Sequence, residues 1–489
     1  MVLTVSVLLD RWFLTMMPPY LLWVTAKASL ALAVPPAAKL EKFDREISVS
    51  IKTIEIEVNV AWVRVLGLAA LQGAITLTWI IYNLYMPALL TQFGFPLTVA
   101  QSILVIENLL AVAVEPTMGA LSDQASRRGQ GRFPFIIGGV IVAAAAFMII
   151  PVIVIVGTPT GIARWLLPVF LIVWALAMAA FRSPSLYLLK KCASNQNLPR
   201  AAAMLTIVAG LFAAIRPFST DFILNLGPMV AFAIGSVGLL LSTFVLRQLF
   251  PKNESDSAPP FEPEVKTTTG HAIFSELKPY WATLALIFGA GLGGAWSLRF
   301  STAAVSKLLA VQFPGIDVTW LVSIFFFLIM GAALPLGVVA AKIGNHKAML
   351  ISIAAAALGL GMLGLWSNMF LWPLVIILVL AGLSVVTTGA VPFALSVMPS
   401  RWGGLGIGTY FGGFTFAALW LHAIFNPILG SASLASVAFL AAGSFLISWL
   451  CIAASLNMLP NQKFNLTPQT ALFAAGMIWA VILFLGQDV

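Results

Sequence analysis

The stretch GALSDQASRRGQGRFPFI, Gly119 to Ile136, joins two long apolar runs through one acid, Asp123, and three arginines, Arg127, Arg128 and Arg132. The flanking runs, near 97–121 and 134–156, are each long enough to cross a hydrocarbon core, which takes about 20 helical residues. Cationic loops resist translocation, so a short loop this basic belongs on the cytoplasmic side of a bilayer. Basic residues return in every second loop: Lys190, Lys191 and Arg200; then Arg247, Lys252, Lys266 and Lys278; then Lys342 and Lys347; then Arg401. The loops between carry only Arg164 and Lys307. The alternation predicts an integral, multi-pass protein of a cell or inner membrane, with loop 122–134 and segment 251–278 in the cytoplasm.

Composition points the same way. The chain is 61% hydrophobic and 9% charged, whereas a soluble domain carries about 25% charge. Backbone groups in hydrocarbon must satisfy their own hydrogen bonds, and continuous apolar runs do so as helices; a barrel strand would alternate. The predicted class is therefore an all-α membrane protein. Its net charge of +9 is accounted for by the basic loops and implies no nucleic-acid partner. Cys192 and Cys451 are the two cysteines, and His271, His346 and His422 are scattered, so neither a disulfide framework nor a metal site is expected. No cofactor is implied. HExxH, a Ser/His/Asp set and a phosphate loop are all missing from the sequence, which speaks against an enzyme.

Residues 1–60 form an N-terminal extension of unassigned role. Its apolar stretches, Leu3–Leu9 and Tyr20–Val34, are broken by Asp10, Arg11, Pro18, Pro19 and Lys27, and a mixed-charge segment, Lys39–Glu57, follows. An interfacial amphipathic segment, a targeting extension and residues upstream of the biological start all fit it. From Ala61 the pattern turns regular. Spans are predicted near 61–90, 97–121, 134–156, 165–188, 200–225 and 228–250, making an N-terminal six-helix bundle over 61–250. A Pro-, Ser- and Glu-rich linker, 251–278, reads as solvated chain. A second six-helix bundle, 279–456, is predicted from spans near 279–300, 318–340, 348–367, 371–396, 404–428 and 432–456. The tail, 457–489, contains one more apolar run, Ala471–Leu485, which either crosses as a thirteenth helix or lies at the interface.

An internal repeat is visible in matching loops. Gly119-x3-Asp123 and its basic cluster are echoed by GVVAAKIGNHK, Gly337 to Lys347, where Ala341 replaces the acid. The first copy resembles the loop signature of the major facilitator superfamily, Gly-x-x-x-Asp followed by a basic cluster with Gly. The ending Arg132-x-Pro134-Phe135-Ile136 is similar to the sucrose-transporter-like branch of the glycoside–pentoside–hexuronide symporters. So are Arg182-Ser183-Pro184 and Asn197-Leu198-Pro199-Arg200. Gln124, Lys190 and Lys191 stand where that branch keeps other residues. The superfamily resemblance spans Ala61–Ser455. It implies the twelve-helix major facilitator fold and transport by alternating access, with the basic cluster bracing the bundles in the outward-open state.

Ionisable groups within a bilayer cost several kcal/mol unless paired or hydrated. Within the spans they are Glu107, Glu115, Arg182, Arg216, Asp221 and Arg299. At about 1.5 Å per residue, Glu115 lies roughly 10 Å inside the cytoplasmic end of its helix, and Arg182 about 9 Å inside the same end of the fourth. Equal depth and opposite sign predict a pair. With Asp123, Arg127, Arg128 and Arg132 it is read as a cytoplasmic gate; a static ion pair that only fixes packing is the other reading. Glu107, deeper, is the candidate proton-coupling residue, with Arg216 as modulator or substrate anchor; a plain locking contact is equally open. Asp221 reads as a solvated helix end.

Gln72, Thr76, Trp79 and Asn83 share one face of the first helix, and Trp174, Met178 and Arg182 one face of the fourth. Both stripes are candidate cavity walls for a hydroxylated or amphipathic solute, and both equally suit helix packing. The second bundle offers glycines: Gly289, Gly291, Gly293 and Gly294 in one span, and six from Gly403 to Gly413 in another. Such clusters suit helices that rock, or helices that pack tightly. Arg299 and His422 are placed toward the outer face, as candidates for an extracellular gate. The expected activity is secondary active transport of a small solute, a sugar or other polar or amphipathic molecule, coupled to a proton. The partners are that solute, H+ and the lipid bilayer, and the chain acts as a monomer. A non-transporting pigment- or lipid-delivery or assembly factor on the same fold is the alternative.

Overall fold

The computed structural model describes residues 60–157, 161–250, 276–365, 372–456 and 458. The N-terminal extension before Val60, most of the linker and the tail with its Ala471–Leu485 run lie outside the described residues. Twelve long helices follow in order: α1 (Trp62–Gln92), α2 (Leu97–Arg127), α3 (Phe133–Val156), α4 (Leu166–Tyr187), α5 (Leu198–Asn225) and α6 (Gly227–Leu249), then α7 (Trp281–Gln312), α8 (Val318–Ile343), α9 (Asn345–Leu365), α10 (Trp372–Val397), α11 (Gly403–Trp420) and α12 (Leu434–Leu456). After α11 a π-helical turn, Leu421–Phe425, leads into a short helix, Asn426–Ser431.

Eleven of the twelve are long and apolar enough to cross a membrane; the exception is the glycine-rich α11. Large apolar side chains such as Ile141, Phe222, Leu241, Phe244, Ile351 and Ile377 point outward. That surface suits lipid.

Three predicted ends shift by six residues or more: α11 stops at Trp420, eight residues short of 428, where the π-helical turn begins, and the other two shift for local reasons. α2 continues six residues past 121 to Arg127, because nothing in Ser122–Arg127 breaks a helix. Its end falls just before Gly129, whose φ of 77° only glycine adopts easily. Asp123 is thereby helical, where a loop was predicted. α7 runs on to Gln312, twelve residues beyond the predicted end near 300, carried by the helix-forming stretch Ser301–Gln312. In the second copy of the repeat, the turn between α8 and α9 uses Gly344 at φ 95°. At the start of α8 the Thr319 N–H bonds the Asp317 carboxylate at 2.8 Å and holds it below the usual carboxylate range.

Packing divides the helices into two groups of six, α1–α6 and α7–α12. The groups meet along two edges, α2 against α11 and α5 against α8. Between these edges α4 packs on α10 and α11, and α5 on α10, whereas α1 and α7 are not packed against one another. The seam is closed at the end carrying the basic loops, here the basic end, and toward the far end α5 and α8 still touch through Phe218 and Trp320, whose ring centroids are 4.1 Å apart.

Candidate functional site

A cavity of about 350 Å³ lies between the two groups. α1 contributes Trp79 and Asn83, α2 contributes Leu104, Glu107, Asn108 and Ala111, and α4 contributes Ala175. Arg216 reaches it from α5, Arg299 from α7 and Thr415 from α11. The charged groups in its wall are thus one carboxyl and two guanidiniums. Among the described residues neither guanidinium has a hydrogen bond or ion pair, and both side chains are open to the cavity's solvent.

Glu107 is 4% exposed, and its Oε1 accepts a hydrogen bond from the buried Tyr82 hydroxyl. Tyr82 is held by a stack of rings: its centroid is 4.3 Å from that of Trp174, which lies 5.0 Å from Phe147. Phe147 in turn is 4.2 Å from Phe232. This packing leaves the phenol little freedom, so the Glu107 carboxyl is presented to the cavity from one fixed direction.

About two turns nearer the basic end than Glu107, Arg182 Nη1 lies 3.3 Å from Glu115 Oε1. The pair touches the second group too: the Thr415 hydroxyl donates to the same oxygen at 3.4 Å, and the guanidinium sits over the Phe411 ring at 4.0 Å. Thr415 belongs both to this contact and to the cavity wall, so the pair forms the cavity floor.

Below it, the Asp123 carboxylate is wholly buried. It accepts from Arg132 at 2.5 Å and from the backbone N–H groups of Gly404 and Leu405 at 3.1 and 2.9 Å. Those two N–H groups open α11, where the first four donors of a helix lack intrahelical partners and the dipole favours an anion. Asp123 of the first group therefore caps a helix of the second. Further contacts close the same end. Ser183 donates to the Gly404 carbonyl at 2.5 Å, Tyr187 to the Ser400 carbonyl at 3.2 Å, and Lys190 to the Ser400 hydroxyl at 2.8 Å. Glu276 lies 3.4 Å from both Arg127 and Arg401 and so bridges the groups.

The predicted residues sort clearly against this geometry. Glu107, Arg216, Trp79 and Asn83 meet at one cavity; Glu115 and Arg182 pair; Asp123 and Arg132 pair; Arg127 joins through Glu276. Arg128 is exposed and enters none of these contacts. Gln72 and Thr76 do not reach the cavity, and the Thr76 hydroxyl is spent on the Gln72 carbonyl at 2.8 Å. Trp174 and Met178 are buried in the first group's core rather than lining the cavity, because α4 turns the neighbouring Ala175 toward it. Arg299 is not near a helix end: with α7 extended, it stands thirteen residues before Gln312. Asp221 is exposed, near the end of α5. The side chain of His422 is outside the described residues.

Sequence reasoning missed Tyr82, Thr415, Glu276 and the start of α11, and considered Asn108 only as a locking partner for Glu107. Tyr82 carried a weak signal: a buried carboxyl needs a donor, and α1 offers one beside its polar stripe.

Among the described residues, twelve long helices in two sets of six around a shared cavity make the two-bundle arrangement common to secondary transporters. The family model for the Major Facilitator Superfamily matches residues 68–418. The chain belongs to that superfamily of secondary transporters. No curated relative matches it in sequence. Among solved structures it is similar to a bacterial homologue of the iron transporter ferroportin in its outward-facing state, with a TM-score of 0.62 and 15% identity over 80% of this chain and 99% of that one. It is also similar to the human organic anion transporter MFSD10, with TM-score 0.55 and 14% identity over 80% and 99% of the two chains. The E. coli fucose:proton symporter gives a TM-score of 0.57 and 11% identity over 80% and 98%. Likeness at such identities is one of fold.

Proposed function

We propose that the protein moves a small polar solute through the central cavity by alternating access, coupled to a proton carried on Glu107. The observation that carries this reading is the position of Glu107. It is a buried carboxyl at the cavity wall, held by one neutral hydroxyl and without a lysine or arginine ion pair among the described residues. A carboxyl so placed can exchange a proton with the cavity's water without first breaking a salt bridge. With the basic loops in the cytoplasm, the closed end is the inner one and the cavity faces outward. The Asp123–Arg132 contact with α11 and the Glu115–Arg182 floor act as the inner gate. The Trp79 face and the Asn83 and Asn108 amides suit a hydroxylated or amphipathic body, in keeping with the loop likeness to sugar symporters.

Glu107→Gln keeps the shape and removes the proton. In proteoliposomes the variant is expected to lose accumulation against a gradient while keeping solute exchange at about wild-type order. Uphill uptake at the wild-type rate would remove Glu107 from the mechanism.

A further inference from the structure

Two arginines from opposite halves of the molecule face one small cavity, and among the described residues neither is neutralised by a partner. Arg216 stands on α5 of the first group and Arg299 on α7 of the second, and their charges interact across the space between. Cavity water lowers the cost of each cation within the bilayer, but two like charges facing one cavity still repel each other. A purely structural role would have paired each with an acid, as Arg132 and Arg182 are paired. We propose that the substrate is a small organic anion, a carboxylate or phosphate, clamped between Arg216 and Arg299. This rests on the transport reading above and names its substrate class.

Guanidiniums bind such oxyanions through parallel N–H donors, and the field of two cations focused in a cleft raises the local concentration of anions. The amides of Asn83 and Asn108 and the indole of Trp79 are left to hold the uncharged body. The arrangement also supplies a trigger. While the cavity is empty, repulsion between the two arginines favours separation of α5 and α7. An anion between them reverses the sign of that force. It binds the closed arrangement better than the open one, and such differential affinity is what a ligand needs to shift a conformational equilibrium.

Coupling follows from the same charges. Around Glu107 stand Tyr82 from α1, Arg216 from α5 and Arg299 from α7, with the Glu115–Arg182 pair below on α2 and α4 and the neutral Thr415 on α11. Two guanidiniums against one carboxylate leave the wall at +1, and protonation of Glu107 takes it to +2. Proton and anion thus each favour the other's binding, by an equal factor in both directions.

The test places a thiol in the wall by Asn83→Cys, with Asn108→Cys as a second site. The rates of modification by an anionic (ethylsulfonate) and a cationic (ethyltrimethylammonium) methanethiosulfonate are each taken relative to the same reagent's rate with a free thiol. Of the native thiols, Cys192 is buried and its pKa is pushed up to about 12, so it does not compete; Cys451 is measured as background in the parent protein. The anionic reagent is expected to be favoured by about tenfold. Arg216→Gln or Arg299→Gln should each cut that ratio severalfold, and the double variant should bring it near one. Lowering the pH should raise the ratio in otherwise wild-type protein and leave it flat in a Glu107→Gln background. A ratio near one, or in favour of the cation, overturns the anion assignment while leaving transport of another solute standing. Failure of both reagents at both positions, from either side of the membrane, removes the accessible cavity and the transport reading with it.

Discussion

The two six-helix groups bring opposite chemistry to the seam they share. The first supplies charge: Asp123, Arg132, Glu115 and Arg182 all stand on α1–α6 or the loop between α2 and α3, and both ion pairs close within that group. The second supplies backbone and small residues. Its α11 offers the N–H groups of Gly404 and Leu405 and the carbonyl of Gly404, with glycine where α2 comes closest. When the groups part, Asp123 and Glu115 can each keep their arginine; what breaks across the seam is hydrogen bonds to backbone and hydroxyl groups, the Arg182–Phe411 ring contact and the partly exposed Glu276 bridge. A joint that must open repeatedly avoids stranding a buried charge, which would cost about 3–5 kcal/mol.

If that division of labour is right, filling the glycine side should do the greatest harm. A Cβ on Gly408 would meet the Glu115 carbonyl and the Cα of Pro116, which are backbone and cannot rotate away. Gly408→Val is therefore expected to abolish recovery of monodisperse protein in detergent by size-exclusion chromatography. Normal recovery would show that the α2–α11 edge is looser than described. Next in size is Asp123→Asn, which strands Arg132 and weakens the cap on α11, a loss of about 3 kcal/mol. It should open the basic end, seen as faster labelling of a thiol placed at Ser400, with uptake reduced.

Glu115→Gln should act less, because Arg182 remains partly solvated, with 30% of its side chain exposed. A modest drop in uptake with unchanged recovery is expected. A collapse equal to that of Asp123→Asn would mean the floor, not the cap, holds the end shut. Smallest is Arg401→Ala. Its contact with Glu276 is 30% and 19% exposed on the two sides, and such pairs contribute about 0–1 kcal/mol. Thermal stability should shift by no more than a few degrees.

The sequence exposed whatever acts along the chain itself. Loop charge and run length govern insertion, so the spans and the basic end could be read directly, and equal depth sufficed to propose Glu115 with Arg182. What it hid depends on partners far apart. The cap on α11 joins Asp123 to N–H groups 281 and 282 positions away, and every residue type except proline has such a group. Arg299 was placed at a helix end because the apolar run seemed to stop near 300; the extension to Gln312 moves it inward. Helical period put Trp174 and Met178 on a common face with Arg182, but period alone does not say which face meets the cavity. One step of 100° separates Trp174 from Ala175, and the smaller residue has the cavity side.

The glycine content of α11 has a cost during biosynthesis. With six glycines and a lower mean hydropathy than the other eleven long helices, this segment has less drive than they do to leave an aqueous translocation channel for lipid by itself. Its places of rest are the grooves of α2 and α7, both made earlier in translation and both already shaped to receive a bare backbone. Membrane integration of this one segment should then depend on its predecessors, so that a bulky substitution at Gly119 on α2 or Gly291 on α7 would show itself first as a misinserted α11.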